Sequence, residues 1–194
     1  MSSFIQKIKS VNTLYNNIHQ EIIDRCREGD QKAQFQLYKL YYKSMYSVSL
    51  RIVNNEMDAE DVMQEAFLKA FQKLDTFIGK VSFGAWLKKI VINKALDFIK
   101  LKRHTISVDE IGEDILPVEE QDEPVLKCDP EIVKKAIFSL PEGYRIVLSL
   151  FLLEGYDHDE ISNILNISNA TSRTQYHRAK KKLLDILKDM NAVS

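Results

Sequence analysis

An acidic segment near the middle of the chain limits what the sequence can fold into. Residues 105–130 contain nine Asp or Glu residues, opposed only by Lys127, together with three prolines. The segment has no sustained helical period, and a stretch with so much charge and so little apolar surface cannot support a packed core. We therefore expect a flexible acidic linker at 105–130 with one folded block on each side of it.

Both blocks are predicted to be helical. The chain has 194 residues, of which 45% are hydrophobic, and no stretch shows the short alternating runs of a β protein. We expect an all-α chain with an N-terminal extension at 1–21, a small helical domain at 22–104 and a second one at 131–190. In the first domain, apolar residues recur at helical spacing and predict a helix: Phe35, Tyr38, Tyr42, Met45 and Tyr46.

The sequence favours a protein of the cytoplasm. No apolar run reaches the roughly 18–20 residues of a membrane span, and the first residues lack the apolar segment and cleavage site of a signal peptide. Cys26 and Cys128 lie far apart and match no metal-ligand spacing. We expect a cytoplasmic chain with no direct membrane insertion, no metal site and no cofactor.

Two helix-like stretches around a very short break fill residues 154–187. Asn166 in the break tolerates the left-handed conformation that ends many helices, and Ser168 can cap the second helix. At 100° per residue, the second helix has one side that can pack on the first: Ser172, Tyr176, Ala179 and Leu183. This pattern predicts a helix-turn-helix, whose second helix presents its N-terminal side chains to base edges in the major groove.

The opposite side of that second helix is polar and basic. Arg173 can contact guanine, Thr174 a base edge or a thymine methyl group, and the later lysines suit phosphates. The net charge of −1 does not argue against DNA binding, because the linker holds most of the excess acid. The candidate DNA-binding residues are Asn169, Arg173, Thr174, His177, Arg178 and Lys181. The alternative is an ordinary helical hairpin with a solvated basic face.

The first block contains a helix with an acidic face. Asp58 is a plausible N-cap for this helix. One of its faces is separate from the apolar side and suits a basic helical partner; it consists of Asp61, Gln64, Glu65 and Leu68. The alternative is a solvated acidic surface.

The next helix of the first block is predicted to begin at Trp86 and to carry a basic face. Trp86 lies on one arc with Lys89, Asn93 and Lys100. The indole either stacks on a base or turns inward to anchor the preceding loop. That loop holds Lys80, Ser82 and Phe83, and flexible backbone, a hydroxyl and an aromatic ring can form a pocket for an unstacked base.

Three stretches, taken together, resemble a known family. "DAEDVMQEAFLKAFQKLDTF", "GKVSFGAWLKKIVINKALDFIK" and "LPEGYRIVLSLFLLEGYDHDEISNILNISNATSRTQYHRAKKKL" are similar, in this order and on both sides of a linker, to the extracytoplasmic-function sigma factors of bacterial RNA polymerase. The resemblance covers residues 22–187. It implies that the first domain is region 2, which docks on polymerase and melts the −10 element, and that the second is region 4, which reads the −35 element.

The resemblance also implies partners and roles. The acidic face would bind the coiled coil of the β′ subunit, and the partners would be core polymerase (β′ and β subunits), promoter DNA and an anti-sigma factor. The −10 residues would be Lys80, Ser82, Phe83, Trp86, Lys89, Asn93 and Lys100. The chain departs from the family's common pattern at Asn166, Ala170, Ser172 and Gln175, which leaves the −35 sequence preference open.

The sequence offers no catalytic arrangement. It has no Gly-rich phosphate loop and no HExxH motif, and its four histidines are scattered. We therefore expect no enzymatic activity. A stand-alone helix-turn-helix regulator, with the first block as a sensing or dimerisation module, is the alternative function. The split between an acidic and a basic helix face in the first block favours the sigma-type function.

Overall fold

The computed structural model describes residues 18–105 and 129–192. Within these ranges every regular element is helical, which confirms the all-α prediction. The chain divides into two compact units between Leu101 and Lys102, as the prediction of two helical domains requires. Most of the predicted linker and of the N-terminal extension lies outside the described residues.

The first unit consists, in its described part, of helices joined by short turns. They are α1 (Gln20–Arg27), α2 (Gln31–Val53), α3 (Glu56–Gln72) and α4 (Phe83–Thr105), with a 3-10 turn at Leu74–Thr76 between α3 and α4. Gly29, with a φ of 85°, breaks the chain after α1. The Asp30 carboxylate then caps α2 by accepting from the backbone N–H groups of Lys32 and Ala33.

The turn between α2 and α3 corrects one sequence prediction. Asn54 ends α2 in the left-handed conformation, with φ 56°, and the Asn55 side chain accepts from the Asp58 backbone N–H at 3.0 Å. Asn55 is therefore the N-cap of α3, and the prediction that Asp58 caps it is wrong. Asp58 instead lies in the first turn of the helix, where its charge complements the helix dipole.

Helix α2 contributes mainly aliphatic and small side chains to the core of the first unit. It buries Ala33, Leu37, Met45, Val48 and Ile52. Phe35 is 57% exposed and Tyr42 37% exposed, so the apolar residues at helical spacing do not all lie in the core. Small and aliphatic side chains at a helix–helix contact allow the helices to approach closely. The exposed rings of Phe35 and Tyr42 lie outside that contact.

Helix α4 begins at Phe83, three residues earlier than predicted. The Ser82 hydroxyl accepts from the Ala85 backbone N–H at 3.2 Å and so caps the helix. Phe83 is 1% exposed and meets the rings of Tyr41 and Phe77 at centroid distances of 5.2 and 5.5 Å. The prediction that Phe83 lies in an exposed loop is therefore wrong, because three aromatic rings bury one another at this helix start.

The second unit is a smaller helical bundle. Its helices are α5 (Pro130–Phe138), α6 (Glu142–Leu148), which continues as a π-helical turn at Ser149–Leu153, α7 (His158–Leu165) and α8 (Asn169–Ala192). Leu148 and Ala179 lie in its core, and Leu183 packs against that core. Both α8 residues thus face inward, as their arc on the helix predicts.

A capping box fixes where α7 begins. The Asp157 carboxylate accepts from the Glu160 backbone N–H at 2.8 Å, and the Glu160 carboxylate accepts from the Asp157 backbone N–H at 3.0 Å. Both groups lie at the N-terminal end of α7, at the opposite end of the helix from the turn that leads into α8. In the part of the chain that the structure describes, no helix is long and apolar enough to cross a membrane.

Candidate functional site

The turn between α7 and α8 has the geometry that the sequence predicts. Asn166 adopts the left-handed conformation, with φ 56° and ψ 49°, and the Ile167 backbone N–H donates to the Ser162 carbonyl at 3.1 Å. The Ser168 hydroxyl accepts from the Thr171 backbone N–H at 2.9 Å, which caps α8. These local bonds hold the two helices as a helix-turn-helix.

The inner side of α8 is joined to α7 by one partly buried hydrogen bond. Ser172 on α8 and Ile161 on α7 are both 0% exposed, whereas Ala179 further along α8 packs with Ile137, Leu140 and Leu148. The Ser172 hydroxyl lies 2.9 Å from Nδ1 of His158, the first residue of α7. This bond satisfies the buried hydroxyl of Ser172. Sequence reasoning missed it, because no periodicity links a histidine to a serine fourteen positions further on.

His158 is held in a partly apolar position. Its ring lies 4.5 Å from the Phe151 ring, nearly parallel to it, and 5.6 Å from the Tyr176 ring. Burial lowers the pKa of His158 below its ordinary value, and the positive charges of Arg173 and His177 lower it further. Asp157 and Asp159 act in the opposite direction. The imidazole therefore favours its neutral form, which serves the bond to Ser172.

The outer side of α8 carries the predicted DNA-binding residues. Arg173 and Lys181 are exposed, and the other four are half-buried: Asn169, Thr174, His177 and Arg178. The structure brings Asn169 and Arg173 into contact, since the Arg173 Nε–H donates to the Asn169 side-chain oxygen at 2.8 Å. Arg173 is thus presented to solvent on the first turns of the second helix, the position from which base edges are read.

The loop before α4 is fixed at both ends. Lys80 is exposed, whereas Phe77 at the start of the loop is 2% exposed. The Arg27 guanidinium donates through Nη2 to the Phe77 carbonyl oxygen at 2.5 Å and through Nη1 to Asp24 at 2.8 Å. Arg27 was not predicted as part of this site, because its partner lies fifty residues away and no local pattern reports such a contact.

Trp86 lies at the border between the core and the surface. Its half-buried ring lies 5.3 Å from the Phe77 ring and 5.5 Å from the Phe83 ring. Of the two alternatives for this residue, the packing favours the one in which the indole anchors the loop. Stacking of a base on the exposed part of the Trp86 ring stays a prediction. The exposed face of α4 carries the other predicted residues, Lys89, Asn93 and Lys100.

The predicted acidic face of α3 is exposed along its whole length. Asp61, Gln64 and Glu65 are all exposed, and Leu68 is 62% exposed. The Glu65 carboxylate also accepts from the Lys94 ammonium of α4 at 2.9 Å. The face therefore has one carboxylate already paired within the unit, a contact between two helices that sequence reasoning missed.

The described residues were also compared with the side-chain arrangements that bind metal ions. Across residues 18–105 and 129–192, no group of His, Cys, Asp or Glu side chains is arranged to hold a metal ion. Cys26 is buried, and burial raises the pKa of its thiol.

Comparison with known proteins identifies both units. The family model for sigma-70 region 2 matches residues 37–105, and that for sigma-70 region 4 matches residues 131–183. The chain is 30% identical over 182 residues to the ECF RNA polymerase sigma factor SigW of Bacillus subtilis. The aligned region covers 87% of this chain and 96% of SigW. The ECF RNA polymerase sigma-E factor of Escherichia coli K12 is 31% identical over 175 residues, covering 84% and 91%.

A solved structure shows the same fold. The sigma factor RpoE of Bartonella quintana, solved in complex with the anti-sigma factor NepR, gives a TM-score of 0.55 at 23% identity and covers 79% of this chain and 95% of that one. Because both region models match in order and the similarity to SigW spans nearly the full length of both proteins, the chain belongs to the extracytoplasmic-function (ECF) sigma factors of the sigma-70 family, which are non-catalytic factors for transcription initiation.

Proposed function

We propose that this sigma factor directs core RNA polymerase to promoters by dividing the work between its two units. The first unit binds core and opens the −10 element, and the second reads the −35 element. The observation that carries the proposal is the helix-turn-helix of the second unit. It presents Arg173 at the exposed start of α8, in a chain whose first unit has a separate exposed acidic face.

Core binding is assigned to the face of α3. Asp61 and Glu65 offer carboxylates, Gln64 an amide and Leu68 an exposed apolar side chain. A basic helical partner can pair with the acids and cover the leucine. We assign the coiled coil of the β′ subunit to this face and the β subunit to the second unit.

Opening of the −10 element is assigned to α4 and the loop before it. Lys89 and Lys100 are exposed on one face and suit phosphates, while Asn93 between them can donate to and accept from a base edge. Exposed Lys80 adds a positive charge in the loop that precedes α4. Phe83 has no part in this surface because it lies in the core.

Reading of the −35 element is assigned to the outer side of α8. Arg173, Thr174 and His177 lie on the first turns of the helix and set sequence preference, whereas Arg178 and Lys181 further along contribute phosphate affinity. An arginine that presents two parallel donors to guanine is the commonest specific contact in the major groove.

An anti-sigma factor is the third partner we propose. The solved structure of similar fold is a complex of the sigma factor RpoE with the anti-sigma factor NepR. The exposed α3 face and the helix-turn-helix are the surfaces that such an inhibitor has to cover to keep the chain from core and from promoters.

Reconstituted transcription tests the proposal. Core polymerase from a bacterium that uses ECF sigma factors, mixed with the purified chain and a randomised promoter library, should yield transcripts that share a −35 and a −10 sequence. A helix-turn-helix variant, Arg173→Ala, should change the −35 sequence only. Transcription no different from that of core alone would overturn the proposed function, and the stand-alone regulator would then be the better account.

A further inference from the structure

The start of α8 carries a chain of hydrogen bonds that crosses the helix-turn-helix. The Asn169 side-chain NH2 donates to the Asp159 carboxylate of α7 at 2.5 Å, and the Asn169 side-chain oxygen accepts from the Arg173 Nε–H at 2.8 Å. Asp159 is the second residue of α7, and Asn169 and Arg173 lie one turn apart on α8. The Asp159–Asn169–Arg173 chain thus joins the first helix to the exposed arginine.

The chemistry of the two end groups fixes the direction of this chain. A carboxylate can only accept hydrogen bonds, and a guanidinium can only donate them. The amide between them can therefore stand in one orientation alone, with its NH2 toward Asp159 and its oxygen toward Arg173. Asp159 thereby sets which atom of Asn169 the arginine meets.

The bond to Asn169 uses the Nε–H of Arg173. A base contact made through the two Nη groups does not need this donor. The Nη1 and Nη2 groups form the fork that matches guanine O6 and N7 in the major groove. An exposed arginine otherwise samples many rotamers, and ordering it on DNA costs conformational entropy. A guanidinium already held through Nε loses less on binding.

Asp159 lies in the first turn of α7, where its charge complements the helix dipole, but it also lies beside the proposed DNA-reading surface. A carboxylate this close to Arg173 repels phosphates and lowers the overall affinity for DNA. We propose that Asp159 is a positioning residue for −35 recognition, which acts through Asn169 to hold Arg173 for a base contact. This inference rests on the proposed function, and it reassigns Asn169 from a direct DNA contact to the link between the two.

The holoenzyme formed by the full chain with core polymerase provides the test. Promoter fragments that carry each base at each −35 position are competed for binding, and the position that responds to Arg173→Ala is identified. Asp159→Ala should reduce base discrimination at that same position about fivefold, the scale of one net hydrogen bond, without lowering overall affinity. Asp159→Asn keeps an acceptor oxygen but removes the charge, so it should retain the parent's discrimination.

Two controls separate positioning from simple loss of charge or of structure. Asp185→Ala removes an exposed acid of α8, the helix that carries Arg173, at a position outside the hydrogen-bonded chain, and it should leave the −35 profile unchanged. In an Arg173→Ala background, Asp159→Ala should have no further effect on discrimination. Helix α7 should persist, because its capping box and the bonds from Ser162 and Asn163 to the Asp159 carbonyl do not need the Asp159 side chain.

A second readout is independent of promoters. In the free chain, the Arg173 Nε–H signal in nitrogen-15 NMR should exchange slowly with water, lose that protection in Asp159→Ala and keep it in Asp159→Asn. If the parent is selective and Asp159→Ala leaves its −35 profile unchanged, the inference is overturned but the proposed function stands. The same holds if Asp159→Asn loses as much discrimination as Asp159→Ala. A parent holoenzyme with no preference at any −35 position would overturn the proposed function, and the inference with it.

Discussion

Exchanging the charges of Glu65 and Lys94 separates the structural role of Glu65 from its proposed role in polymerase binding. The two side chains lie 2.9 Å apart, with 64% and 28% of their surfaces exposed. An exposed pair of this kind stabilises a protein by about 0.2–1 kcal/mol. Glu65→Lys removes this attraction and sets two ammonium groups against each other, so the free energy of unfolding of the first unit should fall by about 1 kcal/mol.

Adding Lys94→Glu to Glu65→Lys should restore the stability but not the polymerase binding. The double variant has the ion pair again with its signs exchanged, so its free energy of unfolding should return to within about 0.5 kcal/mol of the parent. Toward core, however, position 65 still offers a positive charge to a basic partner. Such a reversal costs about 1.5–3 kcal/mol, roughly a tenfold to hundredfold rise in Kd.

The measurement combines thermal unfolding with titration of fluorescently labelled chain by core polymerase. Asp75→Lys serves as the matched control, because it reverses an exposed acid of the same unit outside the α3 face, and it should bind core like the parent. If the double variant regained both stability and core affinity, Glu65 would act only through Lys94. The assignment of the α3 face to the polymerase would then be refuted.

Three further predictions concern the DNA-facing residues and the histidine of α7. Arg173→Ala should cost about 1–3 kcal/mol at one base position of the −35 element, whereas Lys181→Ala should weaken binding to all sequences alike; a promoter library with identical profiles for parent and Arg173→Ala would contradict the register of α8. Trp86→Ala should lose opening of a duplex promoter and regain activity on a template mismatched across the −10 element, where unstacking is cheaper; equal failure on both templates would make Trp86 a core residue only. Because burial lowers the pKa of His158 when folded, the unfolded state binds more protons, and the stability of the second unit should fall as the pH drops below about 6.5. His158→Gln should flatten this fall in thermal unfolding measured from about pH 8 to about pH 5, and an unchanged pH dependence would contradict the assignment.

Features that depend on neighbouring residues could be predicted from the sequence. Asn166 and Ser168 define the turn of the helix-turn-helix through backbone conformation and capping, which act over three or four residues. The exposed face of α3 was predictable for a similar reason. Apolar side chains such as Val62 and Ala66 recur at helical spacing and are buried, which leaves Asp61 and Glu65 outside.

Contacts between distant residues could not be predicted in this way. The bonds of Arg27 to the Phe77 carbonyl, and of Lys94 to Glu65, join residues from different helices or loops. Helical periodicity says which face a residue lies on, but not which residue of another element it meets. The same limit applies to the bond between His158 and Ser172, and it hides the link between Asp159 and Arg173.

The start of α4 shows how a tertiary contact can mislead local interpretation. A glycine such as Gly84 is a common signal of a loop, and the sequence predicts that the helix begins only at Trp86. In the structure, Gly84 lies in the first turn of α4, and a Cβ atom there would come within 3.1 Å of the Tyr41 ring. The glycine thus allows the helix to approach the Tyr41 ring closely. From the local sequence alone, such a glycine looks the same as a glycine in a loop or turn.

Promoter binding with and without core polymerase tests the division of work between the two units most directly. Because the sequence predicts a flexible linker between the two units, we expect that ordering both on one promoter costs free energy unless core holds them at a set separation. In a salt series around physiological strength, the chain alone should bind promoter duplex weakly and with little sequence preference, and core should confer tight, selective binding. Tight and selective binding by the chain alone would contradict this account.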